Sequence, residues 1–172
     1  MIETDRLVLR PLKMSDEESF CELFADPQVM KSSIGGTKTP EEVKEWLLDQ
    51  IERSKSGRGI ELLAVKLKST AAIIGYCGLN EPLNIKGVAE VEIGYRLNRL
   101  YWGNGYATEA AIAVREYAFE KLKLNRLVAL IEPINTRSVA VARKIGMSYE
   151  TDVMLPEYDH PDYLYSMTRD EV

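Results

Sequence analysis

Apolar positions along the chain follow two periods, and the places where one gives way to the other mark the elements. Leu7 and Leu9, with Leu12 after them, alternate with polar neighbours in RLVLRPL, which predicts a short strand stopped by Pro11. The helical period takes over at Phe20, Leu23 and Phe24, behind a capping-box pattern at Ser15-Asp16-Glu17-Glu18. Gly35-Gly36 then interrupts the chain. A second helix is predicted from a Thr39 cap, with Pro40 in the first turn and Glu42 at the reciprocal box position. Val43, Trp46, Leu47 and Ile51 form its apolar face, and Gly57 to Gly59 end it.

Three strand-like runs come next: IELLAVKL over 60–67, AAIIGYCGL over 71–79, and VAEVEIGYRL over 88–97 after a polar link holding Asn84-Ile85-Lys86-Gly87. In the last run Val91, Ile93, Tyr95 and Leu97 share one face, and Glu90, Glu92 and Arg96 the other. The spacing of Ala107, Ala110, Ala111, Val114, Tyr117, Ala118 and Leu122 predicts an amphipathic helix over 106–122. RLVALIE (126–132) reads as a strand, TRSVAVARKIG as a short helix closed by Gly146, and MSYETDVML and DYLYSMTR as two final strands. The order β, α, α, β, β, β, α, β, α, β, β carries no repeat or low-complexity linker, so residues 1–172 are expected to form one mixed α/β domain. A helix joins the strand over 88–97 to the strand over 126–132, so those two are expected to pair in parallel.

Composition narrows the function classes. A chain of 172 residues can bury roughly two-thirds of its unfolded surface, and 45% hydrophobic with 28% charged residues is the balance of a folded globule. A net charge of −5 speaks against a nucleic-acid footprint. It suits a cationic substrate, and it equally serves plain solubility. The charged start Met1-Ile2-Glu3-Thr4-Asp5-Arg6, the lack of any apolar run near ~18 residues, and only two cysteines, Cys21 and Cys77, lead us to expect no leader, no membrane span and a cytoplasmic setting. The lone histidine, His160, leaves no cluster for zinc, so no metal is expected; a Ser-His-Asp reading would hang on that one residue.

YWGNGYATEA, residues 101–110, sets Gly103 and Gly105 directly before the 106–122 helix. A helix start offers unpaired N–H groups and partial positive charge, and glycines let a phosphate approach the backbone. A tight turn holding nothing explains the two glycines equally well. A Walker loop would need Gly-Lys-Ser/Thr, and a dinucleotide fingerprint would need a third glycine where Thr108 stands; neither is present.

EIGYRLNRLYWGNGYATEA, together with ETDRLVLRPL, NTRSVAVARKIGMSYE and YLYSMTRDEV, resembles the GNAT superfamily of N-acetyltransferases, and most closely its RimJ/RimL-type branch. The four blocks run in family order over nearly the whole chain. The resemblance implies a single GNAT fold: a mixed, mostly antiparallel sheet of about seven strands, flanking helices, and a parallel pair at the CoA site. The family's pyrophosphate motif Gln/Arg-x-x-Gly-x-Gly/Ala falls on Trp102-Gly103-Asn104-Gly105-Tyr106-Ala107, with Trp102 departing at the first position. It implies acetyl-CoA as cosubstrate, held by main-chain N–H groups of Gly103, Asn104, Gly105, Tyr106, Ala107 and Thr108. The implied partner is a primary amine, on a protein N-terminus or a small molecule; nucleic acid and membrane are not implied, and a homodimer is left open.

Acetyl transfer to an amine requires proton removal from the amine, polarisation of the thioester carbonyl and protonation of the leaving thiolate. The resemblance implies Glu92 as the base, directly or through water, with a solvated strand glutamate as the alternative. It implies backbone polarisation along residues 94–97, which includes Tyr95, Arg96 and Leu97. Asn135 and Ser138 match the branch's Asn-x-x-Ser pattern, implying a CoA anchor and a proton donor near sulfur; a helix cap and an ordinary first-turn serine fit the same positions. No tyrosine lies between 126 and 148, where many superfamily members carry their acid, and Tyr149 falls outside that helix. Lys144 can serve CoA phosphates or only a helix C-terminus, and Arg143 suits the second role. Tyr158, His160, Tyr163 and Tyr165 can line an acceptor pocket, although Tyr163 and Tyr165 also suit a strand. Trp46 fits the core or a pocket wall, and Cys77 reads as a buried hydrophobe. A CoA-binding regulatory protein without turnover would carry the same cradle.

Overall fold

In a computed structural model describing residues 1–156 and 158–171, the alternating apolar rows close into one eight-stranded sheet. The elements are β1 (Ile2–Glu3), β2 (Leu7–Pro11), α1 (Glu17–Ala25), α2 (Pro40–Ser54), β3 (Leu62–Leu67), β4 (Ile73–Ile85), β5 (Val88–Leu97), α3 (Tyr106–Glu116), β6 (Arg126–Ile131), α4 (Thr136–Lys144), β7 (Ser148–Val153) and β8 (Asp162–Thr168). All seven expected strands form, and β1 adds an eighth that is too short to show a period. The strand order is β1-β2-β3-β4-β5-β6-β8-β7. Every neighbouring pair is antiparallel except β5 and β6, which are parallel as the crossover helix requires.

The helices cover both faces. Phe20, Leu23 and Phe24 of α1 and Val43 and Leu47 of α2 pack on Leu62 and Ala64, with Trp46 and Tyr76 at the edge of the cluster. Trp46 is thus part of the wall between α2 and the sheet, 5.6 Å from the Tyr76 ring. On the opposite face, Ala110, Ala111 and Val114 of α3 and Ala142 of α4 pack on Leu63, Cys77, Ile93 and Leu97. The alanines let α3 lie close to β4 and β5.

Local signals were obeyed in part. Thr39 accepts from Glu42 N–H at 3.3 Å while Glu42 accepts from Thr39 N–H at 2.7 Å, so the α2 capping box forms. The Ser15 box does not form. Met14–Asp16 is a 3-10 turn, and the buried Asp16 carboxylate instead accepts from Lys13 N–H at 2.9 Å and from two Arg10 nitrogens at 2.7 and 2.8 Å. A bidentate charged pair outweighs a neutral hydroxyl cap. The polar link around residues 84–87 is a two-residue hairpin turn: Lys86 (φ 51°) and Gly87 (φ 87°) join a longer β4 to β5. The helix predicted over 106–122 is regular to Glu116 and ends in a π turn over Tyr117–Lys121. Gly146 (φ 93°) closes α4, its N–H donating to Arg143. Among the described residues, no helix is long and apolar enough to cross a membrane.

One long-range tie fixes the start of α3. Glu109 accepts from Thr4 Oγ1 (2.6 Å), Arg6 N–H (3.0 Å) and Arg6 Nε (2.7 Å), and Arg6 Nη1 donates to the Asn104 carbonyl (3.0 Å). Burial pushes the Glu109 carboxyl up, but these hydrogen bonds outweigh it and hold the group below the ordinary carboxylate range. A folded value below the unfolded one gives stability that is present above the ordinary range and lost as pH falls through the depressed value. Glu109→Gln should therefore lower unfolding free energy at neutral pH by about 1 kcal/mol, Arg6 being half exposed and screened. The deficit should shrink on acidification below the carboxylate range, as measured by urea unfolding at both pH values.

Candidate active site

The site begins where a ladder stops. β5 and β6 are in register only at Glu92 and Val128. Two residues later, Leu130 N–H is taken by the Glu92 carboxylate (Oε1, 3.2 Å) and not by the neighbouring strand. Beyond this point the two strands splay apart, and a cavity of about 230 Å³ opens between them. Because the gap passes through the sheet, it is lined from both faces: Glu92, Gly94 and Arg96 from the α1/α2 side, and Ile93 and Tyr95 from the α3/α4 side.

The splay turns backbone donors toward the gap. Asn98 N–H donates to the Ile74 carbonyl at 2.8 Å. By alternation, the amides of Gly94 and Arg96 also face β4, and those of Tyr95 and Leu97 face the gap. Trp102 Nε1 donates to the Leu97 carbonyl at 2.7 Å, in keeping with that carbonyl pointing away from β4. Of the backbone donors expected along residues 94–97, then, Tyr95 and Leu97 point at the gap. Arg96 does not: its amide belongs to the β4 ladder, and its side chain turns to Met30 Sδ (2.9 Å) and Ser33.

Glu92 is not a solvated strand glutamate. Its Oε2 accepts from Asn80 Nδ2 at 2.8 Å and its Oε1 from Leu130 N–H. Burial raises its pKa above the ordinary carboxylate value, and the two hydrogen bonds offset only part of that shift. Gly94 makes room for this arrangement, since a Cβ there would lie 2.9 Å from Asn80 Nδ2. Glu90 is tied to Arg126 at 3.0 Å, which also reaches Glu150 at 2.7 Å; this pairing takes it out of proton transfer.

From the other face come two hydroxyls. Asn135 caps α4, its side chain accepting from Ser138 N–H at 3.2 Å, and both residues line the cavity. Tyr95 donates its O–H to Ser138 Oγ at 3.0 Å. Burial pushes the Tyr95 pKa up to about 12, which keeps its proton in place. The strand alternation puts Tyr95 on the face away from Glu92 and hid this neighbour of Ser138. A tyrosine is present at the helix after all, supplied by β5.

At the outer end, Gly103 (φ 78°) and Gly105 (φ 80°) hold left-handed backbone before the first turn of α3. The space where a Gly103 Cβ would project is open, with nothing within 4 Å. The amides of Tyr106, Ala107 and Thr108 precede the first helical bond, which runs from Glu109 to Gly105. The Asn104 side chain donates to the Tyr101 and Trp102 carbonyls, both at 3.1 Å, and so shapes the turn. Arg6 stacks on Tyr106 and Arg137 on Trp102, each 4.5 Å from the ring centroid. Lys144 shares a second, outer groove with Gly105 and Thr108. Such a set of main-chain donors with cations around it fits a diphosphate.

The aromatic tail divides. Tyr158 lines the cavity. Tyr165 is core and Tyr163 packs beside it, both edge-to-face with Tyr149. Cys77 is buried, and burial raises its thiol pKa, as suits an inert side chain. Sequence reasoning passed over Asn80, Glu132 and Asp162, which also line the cavity.

Residues 6–148 match the family model described as an acetyltransferase (GNAT) domain. The chain is 38% identical to the uncharacterised protein YkkB of Bacillus subtilis over 87% of its own length and 86% of that protein's. It is 30% identical to the uncharacterised N-acetyltransferase p20 of Bacillus licheniformis over 98% and 96% of the two chains. A crystal structure of an acetyltransferase (GNAT family) from Bacillus anthracis superposes with a TM-score of 0.86 at 29% identity, covering 99% of both chains.

A raised folded pKa has a consequence for stability. For Glu92 the favourable contribution exists below the unfolded carboxylate value and is lost as pH rises through the raised folded value. Glu92→Gln removes the buried charge, and a turned Asn80 amide can satisfy it. The variant should unfold at neutral pH no more easily than the parent, and its advantage should vanish on acidification through that window, as followed by urea unfolding.

Proposed function

The chain belongs to the GNAT acetyltransferase family, and we propose that it moves an acetyl group from acetyl-CoA to a primary amine in the gap between β5 and β6. It is an acyltransferase; the amine, the residues and the direct transfer are our reading. The observation that carries it is the convergence on one cavity of a buried carboxylate, strand amides freed by the splay, and a Tyr95–Ser138 hydroxyl pair. Within the family we assign the chain to the RimJ/RimL-type branch, on Trp102 before Gly103 and on the Asn135-x-x-Ser138 pattern. We also take residues 1–172 as one acetyltransferase domain.

When bound, acetyl-CoA supplies a thioester whose carbonyl carbon is open to attack by an amine. The Gly103–Thr108 amides, with Lys144 and Arg137 nearby, would hold its diphosphate, and Asn135 its arm. Glu92, made more basic by burial, takes the proton that the ammonium must lose, directly or through one water. The Tyr95 and Leu97 amides face the gap and suit a carbonyl oxygen that gains negative charge. As the new C–N bond forms and the C–S bond breaks, Ser138 gives a proton to the thiolate, its Oγ held by the Tyr95 O–H. The ammonium nitrogen gives up two protons in all, one to Glu92 before attack and one as the C–N bond forms. The second restores, directly or through water, the Ser138 proton passed to sulfur, and Glu92 returns the first to solvent, so the step balances. Arg96 shapes the cavity wall and exchanges no proton.

Saturating acetyl-CoA should raise the thermal midpoint, because it binds the native state alone. Free-CoA release over a panel of peptides, polyamines, amino acids and aminoglycosides should find an acceptor. On it, Glu92→Gln should lower kcat by about 100-fold, while Gly105→Ala, strained at φ 80°, should weaken acetyl-CoA binding. Stabilisation without CoA release on any acceptor would instead mean a CoA-binding protein that does not turn over.

A further inference from the structure

The α1/α2 side of the cavity carries more negative charge than one base requires. Glu92, Glu132 and Asp162 all line it, against a single guanidinium, Arg96, whose ends are held by Met30 and Ser33. The register of β6 and β8 explains how two of these meet. Leu130 is opposite Leu164 and Ile131 opposite Tyr163, so the next opposing positions are Glu132 and Asp162. Like charges directly opposite each other on a sheet repel. Asp162 is only 5% exposed, and burial together with Glu132 raises its pKa, with His160 acting the other way.

Each carboxylate keeps one buried oxygen without a hydrogen bond, Asp162 Oδ1 and Glu132 Oε2. His160 stands beside both, with Nδ1 at 3.4 Å from Asp162 and Nε2 at 3.7 Å from Glu132, yet its Nδ1 also has no hydrogen bond. Buried oxygens without donors are costly unless something else occupies them. Among the described residues, no three His, Cys, Asp or Glu groups converge closely enough to hold a metal ion. The fitting occupant is an organic cation with N–H donors.

We propose that Asp162 and Glu132 form a second-cation subsite, and that the preferred acceptor is a primary amine bearing another positively charged nitrogen a few bonds away. This rests on the reading of Glu92 as the base: one nitrogen lies at Glu92 and loses its proton, and the other remains charged between Glu132 and Asp162. An acceptor with a carboxylate beside its amine is disfavoured by the same charges.

The test compares n-propylamine and n-butylamine with 1,3-diaminopropane, 1,4-diaminobutane and 1,5-diaminopentane, and with glycine, following CoA release. The diamines should exceed the monoamines in kcat/KM by about 10- to 100-fold, the worth of one charge-assisted hydrogen bond pair. Asp162→Asn should collapse that ratio toward one, mainly through KM for the diamine, and Glu132→Gln should do the same if the first variant folds poorly. In parallel, 1,4-diaminobutane should raise the thermal midpoint of the CoA-saturated protein more than n-butylamine does, a readout that needs no turnover. Equal use of monoamines and diamines, or a ratio untouched in both variants, overturns the subsite and leaves the acetyltransferase reading standing. If no amine releases CoA yet the diamine still stabilises selectively, the subsite stands and the catalytic reading falls.

Discussion

The structure turns on the early end of one parallel ladder. β5 and β6 meet at Glu92 and Val128 and then part, with the Glu92 carboxylate bonded to Leu130 N–H where the next rung would be. A continuous sheet would bury every amide of both strands and leave no passage between its faces. The splay does the opposite. It frees the Tyr95 and Leu97 amides and lets side chains from opposite faces address one cavity. The helix layers then take different work: α3 and α4 supply the glycine-led helix start and the Asn135–Ser138 pair, and α1 with the loop after it holds Arg96 aside.

This opening is sustained by costs that the rest of the fold absorbs. A carboxylate is held away from water by only two donors, and Asp162 and Glu132 carry oxygens with none. Local rules are broken where chemistry is expected and obeyed elsewhere, in the Thr39 capping box, the Gly146 helix end and the Lys86-Gly87 turn. The large apolar cluster between the sheet and α3 supplies the stability that makes such a site tolerable.

Much of the framework was legible because it depends on local periods. The β5 alternation, the α3 alanines and the paired glycines of the 101–110 turn each announce themselves within ten residues. What stayed hidden depends on register and tertiary contact. The two-residue turn sets Ile85 opposite Val88, and an unbroken hairpin would then set Glu81 opposite Glu92. The bulge between Asn80 and Leu83 shifts the pairing by one and brings an amide there instead. Tyr95 and Ser138 are 43 residues apart and meet only because α4 packs beside the splay. Glu132 and Asp162 meet only because β8 is inserted between β6 and β7. The Ser15 capping pattern failed for a related reason, since Arg10 on the preceding strand claims Asp16.

The claim at the centre is that the gap between β5 and β6 receives the thioester end of acetyl-CoA on strand amides that no neighbour uses. Residue-resolved amide hydrogen exchange, measured with and without acetyl-CoA, addresses it directly. The Tyr95 and Leu97 amides should exchange faster than those of Gly94 and Arg96 in the free protein and become protected when acetyl-CoA is added, along with the amides that begin α3. If acetyl-CoA protects the start of α3 but leaves Tyr95 and Leu97 exchanging as before, or if those two are already protected in the free protein, the gap is not where the thioester lies.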